Sequence, residues 1–263
     1  MASCANDPLR FVMVAYPWGE EGPLKDHAGP DEWQTVFLQG LGAECKRNKF
    51  DGKTPVSPVR RAVSSGHGIG KSVMAAWLVD WIMSTRPHCQ GTVTANTITQ
   101  LETKTWAAIL RWTKLCITSH WFVANSERIY QVDAKESWFV SQQSSKEENS
   151  EAFAGQHAAD STSFYIFDED SAVANIIHEV AEGGLTDGEP MIFCWGNPTK
   201  NNGHFYDACF GRMRSRWNPT IVDSRKSRFT NKDQIKEWQE DYGEDSDFFR
   251  VRVLGLPPSA SDA

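Results

Sequence analysis

The stretch Ser65-Gly66-His67-Gly68-Ile69-Gly70-Lys71-Ser72 decides the fold of this 263-residue chain. It matches the pattern GxxxxGK[ST] at its end and has Ser65 in place of the first glycine. Gly66 and Gly68 allow positive φ angles, so the backbone N–H groups can surround phosphate oxygens where a helix begins. In such a loop Lys71 reaches the β- and γ-phosphates and Ser72 binds Mg²⁺. The stretch therefore predicts a nucleotide-phosphate loop, with a purely structural glycine-rich turn as the alternative.

The sequence around this loop predicts alternating strands and helices. A short strand over 59–64 leads into the glycines, and a helix from 71 to about 85 places its apolar residues near one face. A strand at 91–95 and a helix from about 97 to 116 follow, and further strands are predicted at 137–141, 163–167 and 191–195. This order is typical of an α/β protein with a largely parallel sheet, whose ligand site lies beyond the carboxyl ends of the strands.

An acidic pair follows one of these predicted strands, in Phe164-Tyr165-Ile166-Phe167-Asp168-Glu169. Asp168 is placed to hold Mg²⁺ through its water shell, and Glu169 to polarise a water that attacks the γ-phosphate. An apolar run that ends in Asp-Glu can also mark no more than a strand entering a loop. About a hundred residues after a phosphate loop, the catalytic interpretation is favoured.

Two further segments carry polar groups suited to a nucleotide. Asn197-Pro198-Thr199 follows the strand at 191–195, where Asn197 and Thr199 can bond to phosphate or to Glu169, although Asn-Pro is also an ordinary turn signal. Asp31-Glu32-Trp33-Gln34 predicts the start of a helix, and the Gln34 amide offers a donor and an acceptor to an adenine edge.

Bulk properties exclude several classes of protein. The net charge of −7 argues against a freestanding, high-affinity nucleic-acid binder, yet the segment 200–232 holds eight basic and two acidic residues. The six cysteines are scattered, with no CxxC pair and no histidine at zinc-finger spacing, which predicts reduced intracellular thiols. The chain shows no signal peptide and no apolar run long enough to span a membrane, so we expect a cytoplasmic protein without a membrane partner.

Taken together, three motifs resemble the ATPase half of the large terminase subunit of tailed phages. They are the phosphate loop, Phe167-Asp168-Glu169-Asp170-Ser171-Ala172-Val173 and Gly196-Asn197-Pro198-Thr199. Four further segments agree with the resemblance, namely Tyr16-Pro17-Trp18-Gly19, Trp33-Gln34, Thr94-Ala95-Asn96 and Arg250-Val251-Arg252-Val253-Leu254-Gly255. The resemblance covers nearly the whole chain. It implies a RecA-like P-loop NTPase of the additional-strand, conserved-glutamate type, with a mostly parallel sheet flanked by helices and a small C-terminal lid subdomain.

The resemblance also implies a function and an organisation. The function is an ATP-hydrolysing, Mg²⁺-dependent motor for viral DNA packaging, which moves double-stranded DNA into a procapsid in the bacterial host cytoplasm. Residues 1–58 would form an N-terminal segment with Trp33 and Gln34 near adenine, 59–225 the ATPase core with Asn197 and Thr199 coupling hydrolysis to motion, and 226–263 a lid or linker. The implied partners are an oligomeric ring of the same chain, the portal protein, a small terminase subunit, and DNA held weakly and without sequence preference.

Two features depart from that family's pattern. Large terminases usually carry a nuclease domain after the ATPase, and these 263 residues leave no room for one, so the sequence is either an excised ATPase domain or a protein without the nuclease; we expect no nuclease activity from this chain and assign no nuclease residues. Family members often carry an arginine inside the phosphate loop or before the acidic strand, where this chain has His67 and Ala154. We therefore expect an arginine from a neighbouring subunit, with Arg212 and Arg228 as candidates, unless both are ordinary surface residues. A helicase-like nucleic-acid-dependent ATPase and an ATP-binding assembly switch without turnover remain alternative functions.

Overall fold

The protein is described by a computed structural model that covers residues 1–259. Its centre is one eight-stranded sheet. The order of the strands across the sheet is β3-β4-β5-β2-β6-β7-β1-β8. In chain order they are β1 (Val59–Ser65), β2 (Gln90–Ala95), β3 (Phe122–Ala124), β4 (Arg128–Gln131), β5 (Phe139–Gln142), β6 (Ser163–Asp168), β7 (Met191–Gly196) and β8 (Thr220–Val222).

The centre of the sheet is parallel, as the sequence predicts. Parallel pairs join β5 to β2, β2 to β6, β6 to β7, β7 to β1 and β1 to β8. β7 lies between β1, which leads into the phosphate loop, and β6, which ends at Asp168. It is therefore the additional strand of the predicted class, and the prediction of a RecA-like P-loop fold is confirmed.

The edges of the sheet differ from the prediction. β3 and β4 form an antiparallel hairpin that continues onto β5, and the short strand β8 covers the other edge. None of these three strands was predicted, because each spans only three or four residues, too few for a period-two pattern to be distinguished.

Helices cover both faces of the sheet. They are α1 (Pro8–Ala15), α2 (Glu32–Asn48), α3 (Lys71–Thr85), α4 (Ile98–Gln100), α5 (Ala107–Thr113), α6 (Asn175–Ala181), α7 (His204–Cys209), α8 (Arg214–Trp217), α9 (Lys232–Tyr242) and α10 (Asp247–Phe249). The prediction of one helix over about 97–116 was wrong in part. A π-helical segment, Leu101–Trp106, separates α4 from α5, and α5 ends at Thr113.

The strand side chains alternate between two apolar cores. Phe164 and Ile166 of β6 join the core formed with α1, α2, α3 and α5, whereas Tyr165 and Phe167 join the core formed with α6, α7 and α8. A third, smaller apolar cluster holds Ile235, Phe249 and Val253 of the C-terminal region. Among the described residues, no helix is both long and apolar enough to cross a membrane.

Candidate functional site

The glycine-rich loop joins the end of β1 to the start of α3. Gly68 has a φ of 78° and Gly70, which immediately precedes the helix, a φ of 85°, so both adopt the left-handed conformation that glycine tolerates best. No side chain caps α3, and the first N–H groups of any helix lack acceptors within the helix. The partial positive charge at this end of a 15-residue helix therefore faces the loop, in the arrangement that binds phosphate.

The Lys71 side chain folds back over this loop. Its Nζ donates to Oγ of Ser65 over 3.3 Å, and the Ser65 hydroxyl in turn donates to the Gly66 carbonyl over 2.8 Å. Lys71 is only half-buried. The contact with Ser65 thus holds the ammonium group at the mouth of the loop, where it can move to a phosphate oxygen. Ser72 follows in the first turn of α3, half-buried.

A distant segment of the chain closes the back of the loop. The His67 N–H donates to the Arg252 carbonyl over 2.8 Å, and Oγ of Ser64 donates to the Gly255 carbonyl over 2.9 Å. A β-carbon at Gly66 would lie 2.3 to 2.6 Å from atoms of Ser224, Arg252 and Val253, so only glycine fits there. Gly66, the first glycine of the loop, is therefore required by this close approach, whereas the positive φ angles expected for Gly66 and Gly68 occur at Gly68 and Gly70.

The Arg252 guanidinium lies beside the His67 imidazole. Nη1 of Arg252 is 2.8 Å from Nε2 of His67, and because arginine only donates, Nε2 accepts. Burial, followed by the nearby charges of Lys71 and Arg252, lowers the pKa of His67. His67 is therefore neutral at neutral pH and holds an arginine of its own chain next to the phosphate loop.

The acidic pair at the end of β6 faces the same site. Oδ2 of Asp168 accepts from the Thr105 hydroxyl over 2.5 Å, and Oδ1 accepts from the Glu169 N–H over 3.0 Å. Burial raises the pKa of Asp168, while the Thr105 hydrogen bond and the Lys71 charge act in the opposite direction. Thr105 lies in the π-helical segment, which brings this hydroxyl to the carboxylate.

Glu169 leaves the strand direction immediately after Asp168. Its φ is 53°, a left-handed value that is uncommon for residues other than glycine. Such strain, of the order of 1–3 kcal/mol, tends to occur where a function requires a particular side-chain direction. The Glu169 side chain is half-buried, so its carboxylate keeps contact with solvent at the edge of the site.

The segment after β7 connects the loop and the acidic pair. Nδ2 of the buried Asn197 donates to the Ser65 carbonyl over 2.6 Å. The Thr199 hydroxyl shares a hydrogen bond of 3.1 Å with the hydroxyl of Ser171, which lies two residues after Glu169. One short segment thus contacts the end of the phosphate-loop strand and the turn that carries the glutamate.

An aromatic cavity of about 210 Å³ adjoins the loop on its N-terminal side. Its walls include Gly68 and Gly70, and six side chains with rings or an amide, namely Trp18, His27, Gln34, Trp77, Trp112 and Phe229. Nε1 of Trp77 is a buried donor without an acceptor among the described residues. A flat, mostly apolar space with a spare donor beside a phosphate loop suits a nucleobase.

Trp33 and Gln34 support the loop from the start of α2. Nε1 of Trp33 donates to the Ile69 carbonyl over 3.1 Å, and Nε2 of Gln34 donates to the Gly70 carbonyl over 3.4 Å. The Gln34 oxygen accepts from the Asp31 N–H over 2.8 Å in a capping box, as the predicted helix start requires. Gln34 therefore lines the cavity with an amide that is already bonded to protein atoms.

The two arginines expected to reach a neighbour differ in their surroundings. Arg212 is exposed and pairs with Asp207 over 2.9 Å. Arg228 donates to the Gly29 carbonyl and packs over the Phe229 ring, so its guanidinium lies at the rim of the cavity in its own chain.

Half of the basic cluster at 200–232 is engaged locally. Arg225 pairs with Asp223 and Glu244, and Lys232 donates to three backbone carbonyls. Four exposed cations have neither an ion pair nor a side-chain hydrogen bond in the described part of the chain, namely Lys200, Arg214, Arg216 and Lys226.

Sequence reasoning missed Thr105, Phe229 and the position of Arg252. Arg252 and His67 are 185 residues apart, and no local pattern links them. Only the agreement of 250–255 with the terminase pattern pointed to that segment, without indicating its contact with the loop.

Comparison with known proteins agrees with this geometry. No protein-family model matches the chain. It is 28% identical over 278 residues to the probable terminase large subunit of Enterobacteria phage P7, covering 99% of this chain and 53% of that protein. The chain therefore spans about half the length of this curated relative.

Solved structures show the same fold. The large terminase of bacteriophage HK97 superposes with a TM-score of 0.67 at 11% identity, over 96% of this chain and 55% of that one. The large terminase of a thermophilic bacteriophage in complex with ADP gives 0.58 at 17%, over 75% and 48%. The ATPase domain of the Thermus phage P74-26 large terminase gives 0.54 at 17%, over 75% and 88%. The chain thus has the ATPase-domain fold of phage large terminases, and nearly all of it is similar in sequence to a probable large terminase subunit.

Proposed function

We propose that this chain is the ATP-hydrolysing motor domain of a viral DNA-packaging terminase, which moves double-stranded DNA into a procapsid. The observation that carries the proposal is the convergence of four groups at the carboxyl ends of adjacent strands. Lys71 follows β1, Asp168 ends β6 with Glu169 directly after it, and Asn197 follows β7, which lies between β1 and β6. In an additional-strand ATPase, phosphate, metal, water and sensor meet at these positions.

ATP is the nucleotide that the site suits best. The phosphates would occupy the loop Ser65-Gly66-His67-Gly68-Ile69-Gly70-Lys71-Ser72, with Lys71 leaving Ser65 for a phosphate oxygen. The base would enter the aromatic cavity beside Gln34, while Trp33, which lines a different cavity, supports the loop through the Ile69 carbonyl. A large terminase of the same fold, from a thermophilic bacteriophage, was solved in complex with ADP, which supports this assignment.

The Mg²⁺ that this fold family implies fits the donor set. Asp168 and Ser72 offer a carboxylate and a hydroxyl, the hard oxygen ligands that Mg²⁺ prefers. Burial disfavours the charged form of Asp168, and a bound cation would offset that cost. The ion supplies charge neutralisation between the phosphates.

Glu169 is the catalytic base in this proposal. Its carboxylate orients and polarises the water that attacks the γ-phosphate, and the left-handed backbone at Glu169 marks the point where the chain leaves the strand. Asn197 and Thr199 act as the coupling segment, because they contact both the end of β1 and the turn after Glu169. Loss of the γ-phosphate could thus move this segment and change its contacts both with the end of β1 and with the turn after Glu169.

The motor acts as a ring in this proposal. Multiple weak phosphate contacts around a channel grip DNA together and still release it, which suits exposed cations on an acidic chain. Arg212 is the better placed of the two candidate trans arginines, since Arg228 is held by the Gly29 carbonyl and the Phe229 ring of its own chain. The portal and small terminase subunit remain the proposed partners, and the bacterial host cytoplasm the proposed location.

The three regions expected from the sequence remain the proposed organisation. The apolar cluster of Ile235, Phe249 and Val253 lies within 226–263 and supports a separate lid there. Residues 260–263 of that region lie outside the described residues.

Phosphate release tests the enzymatic proposal. We expect Lys71→Ala to abolish ATP binding and hydrolysis, and Glu169→Gln to retain binding while hydrolysis falls by about 10²-fold or more. Lys114→Ala, an exposed lysine on the far end of α5, is the matched control and should behave as the unmodified protein. Unchanged hydrolysis in Glu169→Gln would remove that residue from the mechanism.

DNA binding and unwinding separate the alternatives. The motor proposal predicts weak, sequence-independent binding to double-stranded DNA that falls steeply with salt. Unwinding of a forked duplex would favour the helicase-like ATPase. Tight ATP binding with no phosphate release, alone or with DNA, would favour the assembly switch.

A further inference from the structure

Four potential metal ligands meet beneath the acidic pair, outside the nucleotide site. They come from four separate parts of the fold, namely Asp170 after β6, His178 in α6, Cys194 in β7 and His204 at the start of α7. Their ligand atoms all lie within 4.8 Å of one another. A tetrahedral zinc ion with bonds of about 2.0–2.3 Å holds its donor atoms about 3.3–3.8 Å apart, so binding requires the side chains to move together by about 1 Å.

The polar atoms of this cluster have unmet bonding capacity. Both ring nitrogens of His178 and Nδ1 of His204 are buried without a hydrogen-bond partner in the described part of the chain, and the Asp170 carboxylate lies against the Cys194 thiol. Nε2 of His178 lies 2.8 Å from Oδ1 of Asp170, but the two atoms are not aligned for a hydrogen bond. Atoms that converge on a third atom between them have this arrangement.

Leaving these groups without a partner would be costly. Asp170 and His178 are each 1% exposed and Cys194 is fully buried. A buried imidazole nitrogen without a hydrogen-bond partner costs about 1–3 kcal/mol, and native folds rarely contain several together. The rings of His178 and His204 stack almost parallel at 3.6 Å, so one ring must turn for the in-plane nitrogen lone pairs of both to meet at a single ion.

We propose that Asp170, His178, Cys194 and His204 bind a structural zinc ion. A thiolate, a carboxylate and two neutral imidazoles carry two negative charges, so a divalent cation makes the buried site neutral overall. Thiolate and imidazole donors select zinc over magnesium or calcium, and four protein ligands leave no open position for catalysis.

The surroundings give the ion a route in and a consequence for the site. His204 is only partly buried and lines an open cavity of about 270 Å³, together with His178. Asp170 directly follows Glu169, and Cys194 precedes Asn197 by three residues. The zinc ion therefore ties the turn that carries the glutamate to β7 and to the helices on that face of the sheet.

Metal content and cobalt spectroscopy test the proposal. The chain would be produced with zinc in the medium and without a polyhistidine tag, and zinc would be measured by mass spectrometry after dialysis. We expect close to one zinc per chain. Replacement by cobalt should give the visible bands of a tetrahedral site together with a near-ultraviolet thiolate-to-cobalt band. Removal of the metal with a chelator should lower the melting temperature.

Matched variants assign the ligands. Cys194→Ala should lose the thiolate band and bind zinc at least about tenfold more weakly. Cys209→Ala removes another buried cysteine that is not among the four ligands and should keep both. If Cys194→Ala does not fold, His204→Gln at the partly exposed ligand gives the same comparison. Lys71→Ala should retain zinc, which separates this site from the nucleotide site.

Three results would overturn the proposal. The first is a folded protein that takes up neither zinc nor cobalt when either is supplied in excess. The second is a cobalt spectrum without a thiolate band. The third is equal zinc affinity in Cys194→Ala and Cys209→Ala.

Discussion

Replacing Phe229 with alanine should weaken ATP binding about 5- to 30-fold and leave the binding of a bare triphosphate unchanged. Phe229 forms a wall of the aromatic cavity beside Gly70 but is 44% exposed, so its ring contributes little to the core. The side chain is therefore free to act on the base without holding the fold together.

The magnitude follows from the exposed surface of that ring. About 44% of a phenylalanine side chain of roughly 200 Å² gives about 90 Å², of which a stacked base covers about half. At about 25 cal/mol per Å², this area contributes about 1 kcal/mol. Stacking of a base on an aromatic ring is worth about 1–3 kcal/mol by alanine substitution, so a loss of about 1–2 kcal/mol is expected.

Isothermal titration calorimetry with two ligands measures this loss of affinity. ATP and inorganic tripolyphosphate, each with Mg²⁺, would be titrated into the unmodified chain and into Phe229→Ala. Only the ATP affinity should fall, because tripolyphosphate has no base. Phe122→Ala, at a ring outside the cavity, is the control and should change neither affinity.

Two results would refute the assignment of the cavity to the base. Equal ATP affinity in Phe229→Ala and the unmodified chain would mean that the base lies elsewhere. An equal loss for both ligands would mean that Phe229 acts by shaping the phosphate loop.

Three further predictions concern the fold around the site. Arg86→Met should lower the free energy of unfolding by about 3–5 kcal/mol in urea titrations, because it leaves the buried Glu189 carboxylate without its partner at 2.6 Å, and adding Glu189→Leu should restore part of the loss. Burial raises the pKa of Asp80 to about 7. Because the folded protein then holds this proton more tightly than the unfolded chain, the unmodified protein should lose stability as pH rises from about 4 to about 7, by at most roughly 1.4 kcal/mol per pH unit. Asp80→Asn should remove that slope in thermal melts from pH 4 to 8. Gly66→Ala places a carbon 2.3 to 2.6 Å from its neighbours and should abolish nucleotide binding in the same titrations, whereas Gly183→Ala meets open space and should not. Equal stabilities for Arg86→Met and its double variant, an unchanged pH slope in Asp80→Asn, or normal binding by Gly66→Ala would each contradict the corresponding structural explanation.

The parts of the site that sequence could predict are those encoded by neighbouring residues. The strand, loop and helix around Lys71 follow from a local pattern of glycines and apolar spacing, and the capping box at Asp31 follows from a residue and its third successor. The apolar run before Asp168 likewise placed β6 and its acidic end correctly.

What could not be predicted depends on residues far apart in the chain. The π-helical turn that brings Thr105 to Asp168 has no sequence signature, since its hydrogen bonds span only one residue more than those of an α-helix. The histidines and the cysteine of the proposed zinc site are spaced by 10 to 26 residues, unlike a zinc finger, because sheet topology and not a short loop brings them together. The hairpin over 122–131 was not predicted because its strands are short and partly exposed.

The contact between the phosphate loop and Arg250–Leu254 also bears on the order in which the protein forms. Ser64 and His67 leave the ribosome long before Gly255 and Arg252, which lie 191 and 185 residues later. Closing so long a segment is among the slower events of folding, since its entropy is lost before the contacts form. In a nascent chain the phosphate loop therefore lacks its contacts with Arg252 and Gly255. The loop should bind nucleotide only after the segment that contains these two residues has docked.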